Sequence, residues 1–386
     1  MADPATNEKV SSNSCYIPDD ISFSILSKLP LKSLKRFCCI NKSWSALFQN
    51  PKFIDMFRNN LISKSHAIYD DTCQIVTLYE NSTEWSVYLL SGEKFENKVK
   101  LNFPPSSFHI PQDGMNPSSV GFNPFSLLDS GINGILCVSD DRNDTTLLWN
   151  PATEEIKVLP PGFAELKDGI CTCISLHGFG YDHVTHDYKV IQHVGYDGEN
   201  PTLDPFWEIY SLRSNSWRKI DFDMQLPTMA WFANNDVYLN GVCHWWGLGN
   251  KLVSFNLCNE ECIITPSFIE GSPDDFDVVN LNVLNGYVAI ITNRRHSTSY
   301  QISILGEFGV KESWIKLYII PRISWTICPI GIGKKGNIFF QTKDDELVCL
   351  DLTTGVIKVI NLKGSKYSCQ VVIYKRNLHP IGEINN

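Results

Sequence analysis

His183 and His186 stand three residues apart in "YDHVTHDYKVI", with His177 and His193 nearby, and imidazoles at that density could ligate zinc. Zinc needs four donors converging on one point. This spacing falls in a turn between two strand-like runs, and exposed turn histidines are the competing reading. The cysteines offer less. Cys258 and Cys262 flank the turn "NEE", and Cys171 and Cys173 lie one residue apart, but neither arrangement has a second pair at zinc spacing. Packed or turn thiols account for both. Gly331-Ile332-Gly333-Lys334-Lys335-Gly336 matches G-x-G-x-x-G, which cradles pyrophosphate only where a helix follows the glycines. Here "NIFFQT" follows and reads as a strand, so a β-turn is expected. No G-x-S-x-G elbow, P-loop or H-E-x-x-H occurs. Trp149, Trp217, Trp245, Trp246 and Trp314 could line a ligand cage, yet packing between sheets is the stronger account of tryptophans at equivalent repeat positions. The expected chemistry is therefore binding: no catalytic residue, no metal and no cofactor.

The elements that would carry such binding differ along the chain. With 386 residues, 43% hydrophobic and 12% aromatic, the chain can bury a sizeable core. Its longest apolar runs fall far short of the roughly 18 residues of a membrane span. "MADPATNEKVSSNS" has no apolar core of a secretory signal, so a cytoplasmic or nuclear protein is expected, with no membrane partner. In that compartment the 13 cysteines read as free, buried thiols. The triplets at Asn41, Asn81 and Asn143 are then chance matches to the glycosylation signal. Charge is uneven. Residues 17–48 carry Lys28, Lys32, Lys35, Arg36 and Lys42 against Asp19 and Asp20, a net of +3, while the chain as a whole carries −9. The remainder holds −12, which argues against nucleic acid as a partner of the larger part.

"IPDDISFSILSKLPLKSLKRFCCINKSWSAL" (17–47) reads as three short helices. Pro18, Asp19 and Asp20 provide first-turn chemistry, and Ile21, Ile25, Leu26 and Leu29 recur at helical spacing until Pro30. Leu31, Leu34, Phe37 and Cys38 form a second stripe, and Ile40, Trp44 and Leu47 a third, stopped by Asn50-Pro51. Helices this short are unstable alone. A unit this small needs a metal, a disulfide or a partner surface, and no ligand set is present. A helical cap packed on the rest of the chain is the alternative. Ile17-Pro18, Asp20-Ile21, Ile25-Leu26, Leu29-Pro30, Ser33-Leu34, Lys42-Ser43-Trp44, Leu47, Pro51 and Phe53 together resemble the F-box, which binds a Skp-type adaptor in cullin–RING ubiquitin ligases. Ser24 and Lys28 depart mildly from its usual acidic residue and arginine.

From about residue 66 the chain alternates β-branched and aromatic runs with Gly, Asn, Asp and Pro. A strand–turn–strand unit repeats in "WSVYLLSGEKFENKVKL" (85–101), "LLWNPATEEIKVL" (147–159), "EIYSLRSNSWRKI" (208–220), "LVSFNLCNEECIIT" (252–265), "ISILGEFGVKESWIKLYII" (302–320) and "LVCLDLTTGVIKVINL" (347–362). Most are preceded by a Gly- or Asn-led strand such as "NGILCVS" or "NGYVAIIT". Six four-stranded units, the later ones recurring about every 45 to 50 residues, predict an all-β propeller of six blades, preceded by the small α-helical segment. "SCQVVIY" (368–374) has no hairpin of its own and is expected to pair into the first blade. The chain has neither the double glycine of kelch repeats nor a Trp-Asp dipeptide. "LLWNPAT", "GFGYD", "DYKVI", "SLRSNSWRKI" and "GVKESWIKL" instead resemble the plant F-box-associated domain, found in the F-box/kelch-repeat and S-locus F-box families. The expected order is a disordered 1–15, an F-box at 16–56, a linker at 57–65, the propeller at 66–376 and a tail at 377–386.

The resemblance implies a non-catalytic substrate receptor of an SCF-type (Skp–cullin–F-box) ubiquitin ligase. Pro18, Ile21, Ile25, Leu26, Leu29, Pro30, Leu34, Phe37, Ile40, Trp44 and Leu47 would bind or support the adaptor. The propeller would hold a protein client. Rival readings are a non-degradative adaptor-binding protein and an enzyme using the propeller's central pocket. In a propeller the links between blades and the middle loop of each blade share one face. The long connections 102–120, 195–206, 266–276 and 294–300 fall there. With loops 139–145 and 342–345 they hold twelve acidic residues against four basic ones, a net of −8. A basic client is expected on this face, as the S-locus resemblance also implies. Its candidate contacts are Asp197, Glu199, Asp204, Glu270, Asp274, Asp275, Arg294 and Arg295.

Overall fold

The computed structural model describes residues 17–30, 33–34, 36–37, 44, 47–68, 72–80, 84–102, 125–140, 145–164, 171–197, 203–221, 236–247, 249–269, 276–294, 297–323, 325–365 and 369–381. The chain divides into two compact units, Met1–Leu61 and Ile62–Asn386.

In the first unit, α1 (Asp19–Leu26) opens at Pro18 with Asp19 and Asp20 in its first turn. Leu26 closes it well ahead of Pro30. Ser33, Leu34, Arg36 and Phe37 are helical, and Leu47–Gln49 form a 3-10 turn. Asn50 then caps α2 (Pro51–Ile68), its Oδ1 accepting from the Lys52 N–H at 3.0 Å. Residues 57–65, expected as a linker, are part of this helix. The reason is in the spacing: Phe53, Phe57 and Leu61 continue one buried stripe four residues apart, so the helix persists past the end of the expected domain.

The second unit is a ring of six four-stranded antiparallel sheets. Blade 1 joins β24 (Gln370–Lys375), β1 (Thr72–Glu80), β2 (Glu84–Ser91) and β3 (Asn97–Lys100). Blade 2 is β4 (Phe125–Ile132), β5 (Ile135–Asp140), β6 (Thr145–Asn150) and β7 (Glu155–Val158). Blade 3 is β8 (Cys171–Asp182), β9 (Asp187–Asp197), β10 (Phe206–Ser211) and β11 (Ser216–Ile220). Blade 4 is β12 (Val237–Leu239), β13 (Val242–Gly247), β14 (Lys251–Asn256) and β15 (Cys262–Pro266). Blade 5 is β16 (Phe276–Leu284), β17 (Tyr287–Arg294), β18 (Ser299–Leu305) and β19 (Trp314–Pro321). Blade 6 is β20 (Thr326–Ile332), β21 (Ile338–Thr342), β22 (Glu346–Leu350) and β23 (Ile357–Lys363).

The last strand closes the ring as expected: β24 pairs with β1, Ile75 opposite Val372 and Thr72 opposite Lys375. Strands β24, β4, β8, β12, β16 and β20 neighbour one another in that order and form the inner wall. Amide side chains staple the wall between blades. Gln370 both accepts from the Leu127 N–H (3.1 Å) and donates to its carbonyl (2.7 Å), mimicking a strand pairing. Asn282 accepts from the Ile332 N–H at 3.1 Å. Gly331, with φ +155, would place a Cβ 2.3 Å from the Val371 carbonyl oxygen, so a glycine there lets β20 lie against β24. A 3-10 turn (Lys334–Gly336) and then β21 follow, so the six-residue glycine motif serves packing and a turn.

The core lies between blades rather than in the channel. One cluster joins Leu127, Leu136 and Trp149 of blade 2 to Ile75, Val87 and Tyr374 of blade 1, and another joins Trp246 and Leu252 of blade 4 to Leu281 and Trp314 of blade 5. All five tryptophans are buried, as the packing account expects. Two sit equivalently at the start of an outer strand: Trp217 Nε1 donates to the Pro160 carbonyl at 2.7 Å, and Trp314 Nε1 to Pro266 at 3.2 Å. Each indole thereby ties its blade to the end of the preceding one. Cys137, Cys243, Cys349 and Cys369 are buried, while Cys258 is an exposed turn cysteine.

Candidate interaction surfaces

The first unit has a small core and exposed apolar side chains. Leu26, Leu34, Leu47, Phe53, Ile54, Phe57 and Leu61 are buried, with Phe23 edge-on to Phe53 at 5.6 Å. Ile21 and Ile25, four residues apart on α1, are 49% and 57% exposed, and Ile17, which precedes the helix, is 56% exposed. Phe37 is 38% exposed and packs edge-to-face on Trp44. Pro18 and Pro30 are exposed, and Leu29 and Trp44 half-buried. Leu26, Leu34 and Leu47 hold the unit together from inside, whereas Ile21, Ile25, Phe37, Pro18 and Pro30 are presented to solvent. Ile40 lies outside the described residues. Ile17 is also exposed although it is not among the expected contacts; its place in the Ile17-Pro18 pair of the F-box resemblance is the signal that could have found it. Scattered exposed aliphatics are ordinary on a folded surface; Ile21 and Ile25 instead share one side of α1.

The ring has two unlike faces. On one face lie the turns joining first to second and third to fourth strands, and positive φ at Asn133-Gly134, Asn240-Gly241 and Asn285-Gly286 makes the first-to-second turns of blades 2, 4 and 5 tight two-residue hairpins. The chain enters β1 and leaves β24 on this face, since Thr72 pairs with Lys375. The opposite face takes every link between blades and the second-to-third-strand loops. Long links are expected at 102–120 and 266–276; the connections 159–170 and 221–236 are of comparable length. Of the client candidates, Asp204 and Arg294 are exposed on this face, and Asp197 ends β9. Glu199, Glu270, Asp274, Asp275 and Arg295 lie outside the described residues. Asp344, in the β21–β22 turn, is also exposed there.

His183 and His186 occupy the exposed β8–β9 turn and meet tyrosines: Tyr181 Oη lies 3.2 Å from His186 Nδ1, and Tyr238 Oη 3.3 Å from His183 Nε2. His177, on the inner strand β8, is buried against Trp207 and Trp245, with Nδ1 3.8 Å from Asp236. Burial and the neighbouring His193 push its pKa down to about 3, so the ring is neutral near pH 7. His193 packs on Trp207 and is shifted down by burial too. Nearby, Lys189 forms a buried pair with Asp182 (2.8 Å) and donates to the Leu257 carbonyl (2.7 Å), joining blade 3 to blade 4. Among the described residues no group of three or more His, Cys, Asp or Glu side chains could hold a metal ion. No described helix is long and apolar enough to cross a membrane.

Comparison with known proteins places both units. Residues 128–379 match the family model of the F-box associated beta propeller domain, and residues 15–55 match the F-box domain. The chain is 26% identical to the F-box protein CPR1 of Arabidopsis thaliana, over 96% of this chain and 91% of that one. It is 24% identical to the Arabidopsis thaliana protein SUPPRESSOR OF NIM1 1, over 94% and 97% of the two chains. Among solved structures, one from a nidogen/laminin complex aligns with 79% of this chain and 99% of its own, at 11% identity and a TM-score of 0.44.

Proposed function

Because the chain belongs to the family of the F-box associated β-propeller domain and carries an F-box ahead of it, we propose that it is the substrate-recognition subunit of an SCF-type ubiquitin ligase. The observation that carries this reading is the exposure of Ile17, Ile21, Ile25 and Phe37 beside the buried Leu26, Leu34, Leu47 and Phe53 of the same unit. A Skp-type adaptor covers those exposed side chains, and through it the chain joins the cullin–RING ligase. The propeller holds the client near the charged ubiquitin-conjugating enzyme, and the rate gain comes from proximity, with no reacting group supplied by this chain.

Burying an isoleucine contributes about 1.5–3 kcal/mol. Replacing both Ile21 and Ile25 with aspartate is therefore expected to weaken adaptor capture roughly 100-fold or more. Pull-down by a purified plant Skp-type adaptor measures this, with the propeller melting transition as the folding control. Undiminished capture by a folded double variant would refute the docking face.

The client is a basic protein held on the long-link face, where the acidic residues concentrate. Changing Asp197, Glu199, Asp274 and Asp275 together to lysine should abolish client capture while adaptor binding persists. Capture by the parent chain should fall steeply as salt rises. Client binding that ignores both the reversal and salt would place recognition elsewhere.

A further inference from the structure

Beyond Lys375 the chain runs from blade 1 onto the tight-turn face of blade 2, where residues 377–381 are held as a ligand would be. The walls are the β4–β5 turn, Asn133-Gly134, and the β6–β7 turn from Asn150 to Glu155. Asn150 is fully buried, and its Nδ2 donates to two main-chain carbonyls of one segment, Asn377 at 3.1 Å and His379 at 2.9 Å. Its Oδ1 is separately occupied by the Ala152 N–H at 3.0 Å. Asn377 Nδ2 donates to the Asn133 carbonyl at 2.7 Å, and the Ile381 N–H to a Glu155 carboxylate oxygen at 2.6 Å. The Ile381 side chain packs on the cluster between blades 2 and 3, which includes Ile132, Ile135 and Leu159. Gly134, at φ +80, would set a Cβ 2.4 Å from that of Asn377, so the turn leaves space for this segment. Leu378, in the middle of the segment, is 72% exposed and takes no part.

These contacts read main-chain carbonyls, one N–H, the Asn377 amide and one aliphatic side chain, which is how grooves recognise extended peptides. They also make an occupant necessary. If the segment departs, both donors of a buried amide lose their partners, and an unsatisfied buried polar group is costly. We propose that the tight-turn edge of blade 2 is a peptide-binding groove whose resident ligand is this chain's own Asn377–Ile381 segment. Tethering to β24 gives the segment a high effective concentration, so it outcompetes a free peptide of the same sequence. Groove occupancy and ring closure are thereby linked, because the occupying segment is continuous with the closing strand. This groove lies on the face opposite the long links and does not depend on the client assignment.

The test uses the full chain and a fluorescent synthetic peptide spanning residues 375–386. Ile381→Asp releases the tail and leaves the groove intact; Asn150→Asp keeps the acceptor for Ala152 but removes both donors. Both variants should expose the tail amides to hydrogen exchange roughly tenfold or more faster than the parent. The peptide should bind saturably to the Ile381→Asp chain, and roughly tenfold or more weakly to the parent and to Asn150→Asp. A peptide carrying Ile381→Asp is the control that leaves the groove untouched, and it should not bind. A tail still protected in Asn150→Asp, or a released Ile381→Asp chain that takes no peptide, would overturn the proposal.

Discussion

Removing residues 366–386 is expected to leave the protein insoluble, or folded with a melting temperature lower by roughly 10 °C or more. The deletion takes away β24 and with it the buried side chains Val371, Val372 and Tyr374. Each buried side chain of this kind contributes about 1.5–3 kcal/mol, and three approach the roughly 5–15 kcal/mol that stabilises a whole domain. The loss also unpairs one edge of β1 from Thr72 to Thr77 and removes the Gln370 staple to β4. An unpaired strand edge promotes association between chains. Solubility, light scattering and calorimetry read the outcome. A soluble monomer with an unchanged transition would show that β24 does not close the ring. Ile381→Asp, which spares β24, should retain most of the stability and so separates loss of the strand from loss of the tail.

Lys189→Met is expected to destabilise the propeller by about 3–5 kcal/mol, because removing one member of a buried ion pair strands the other. Asp182 is fully buried, and the Lys189 ammonium is its 2.8 Å partner. Burial opposes the charge on Asp182, but Lys189, the Thr185 hydroxyl and the N–H groups of Val184 and Thr185 outweigh it, holding its pKa down to about 2. In the parent this contributes stability that is present above the unfolded-state pKa near 4 and lost as pH falls toward 2. Without Lys189 the carboxyl protonates more readily, so the cost of the substitution should shrink as pH falls. The double variant Lys189→Met/Asp182→Asn keeps an acceptor for the Val184 and Thr185 N–H groups and should recover most of the loss. Urea unfolding of the four chains of this cycle at neutral and acidic pH measures each step. A single variant as stable as the parent would show that the pair is a passive contact.

Much of the architecture was legible because it is local. Strand period, the Asn- and Gly-led turns and the repeated Trp of the outer hairpins each arise within a few residues, and six copies reinforced the reading. The odd strand at the end of the chain made ring closure deducible, since an unpaired edge has to find a partner. The helical head was equally local: its apolar stripes and Pro-Asp-Asp start predict short helices, and its motif residues from Ile17-Pro18 to Phe53 carry the resemblance to the F-box. Three matters needed the tertiary structure. Ile25 and Leu26 are neighbours and equally apolar, so only the packing of the helical unit decides that Leu26 is buried and Ile25 exposed. Residues 57–65 carry no break that distinguishes helix from linker except the continued stripe of Phe57 and Leu61. Lys189 and Asn150 read as ordinary strand residues, because their partners Leu257, Asn377 and His379 are distant in sequence. Hydrophobic periodicity reports which face of an element is apolar. It carries no information on which distant carbonyl a buried ammonium or amide will meet, and that pairing is set when neighbouring blades are brought together around the ring.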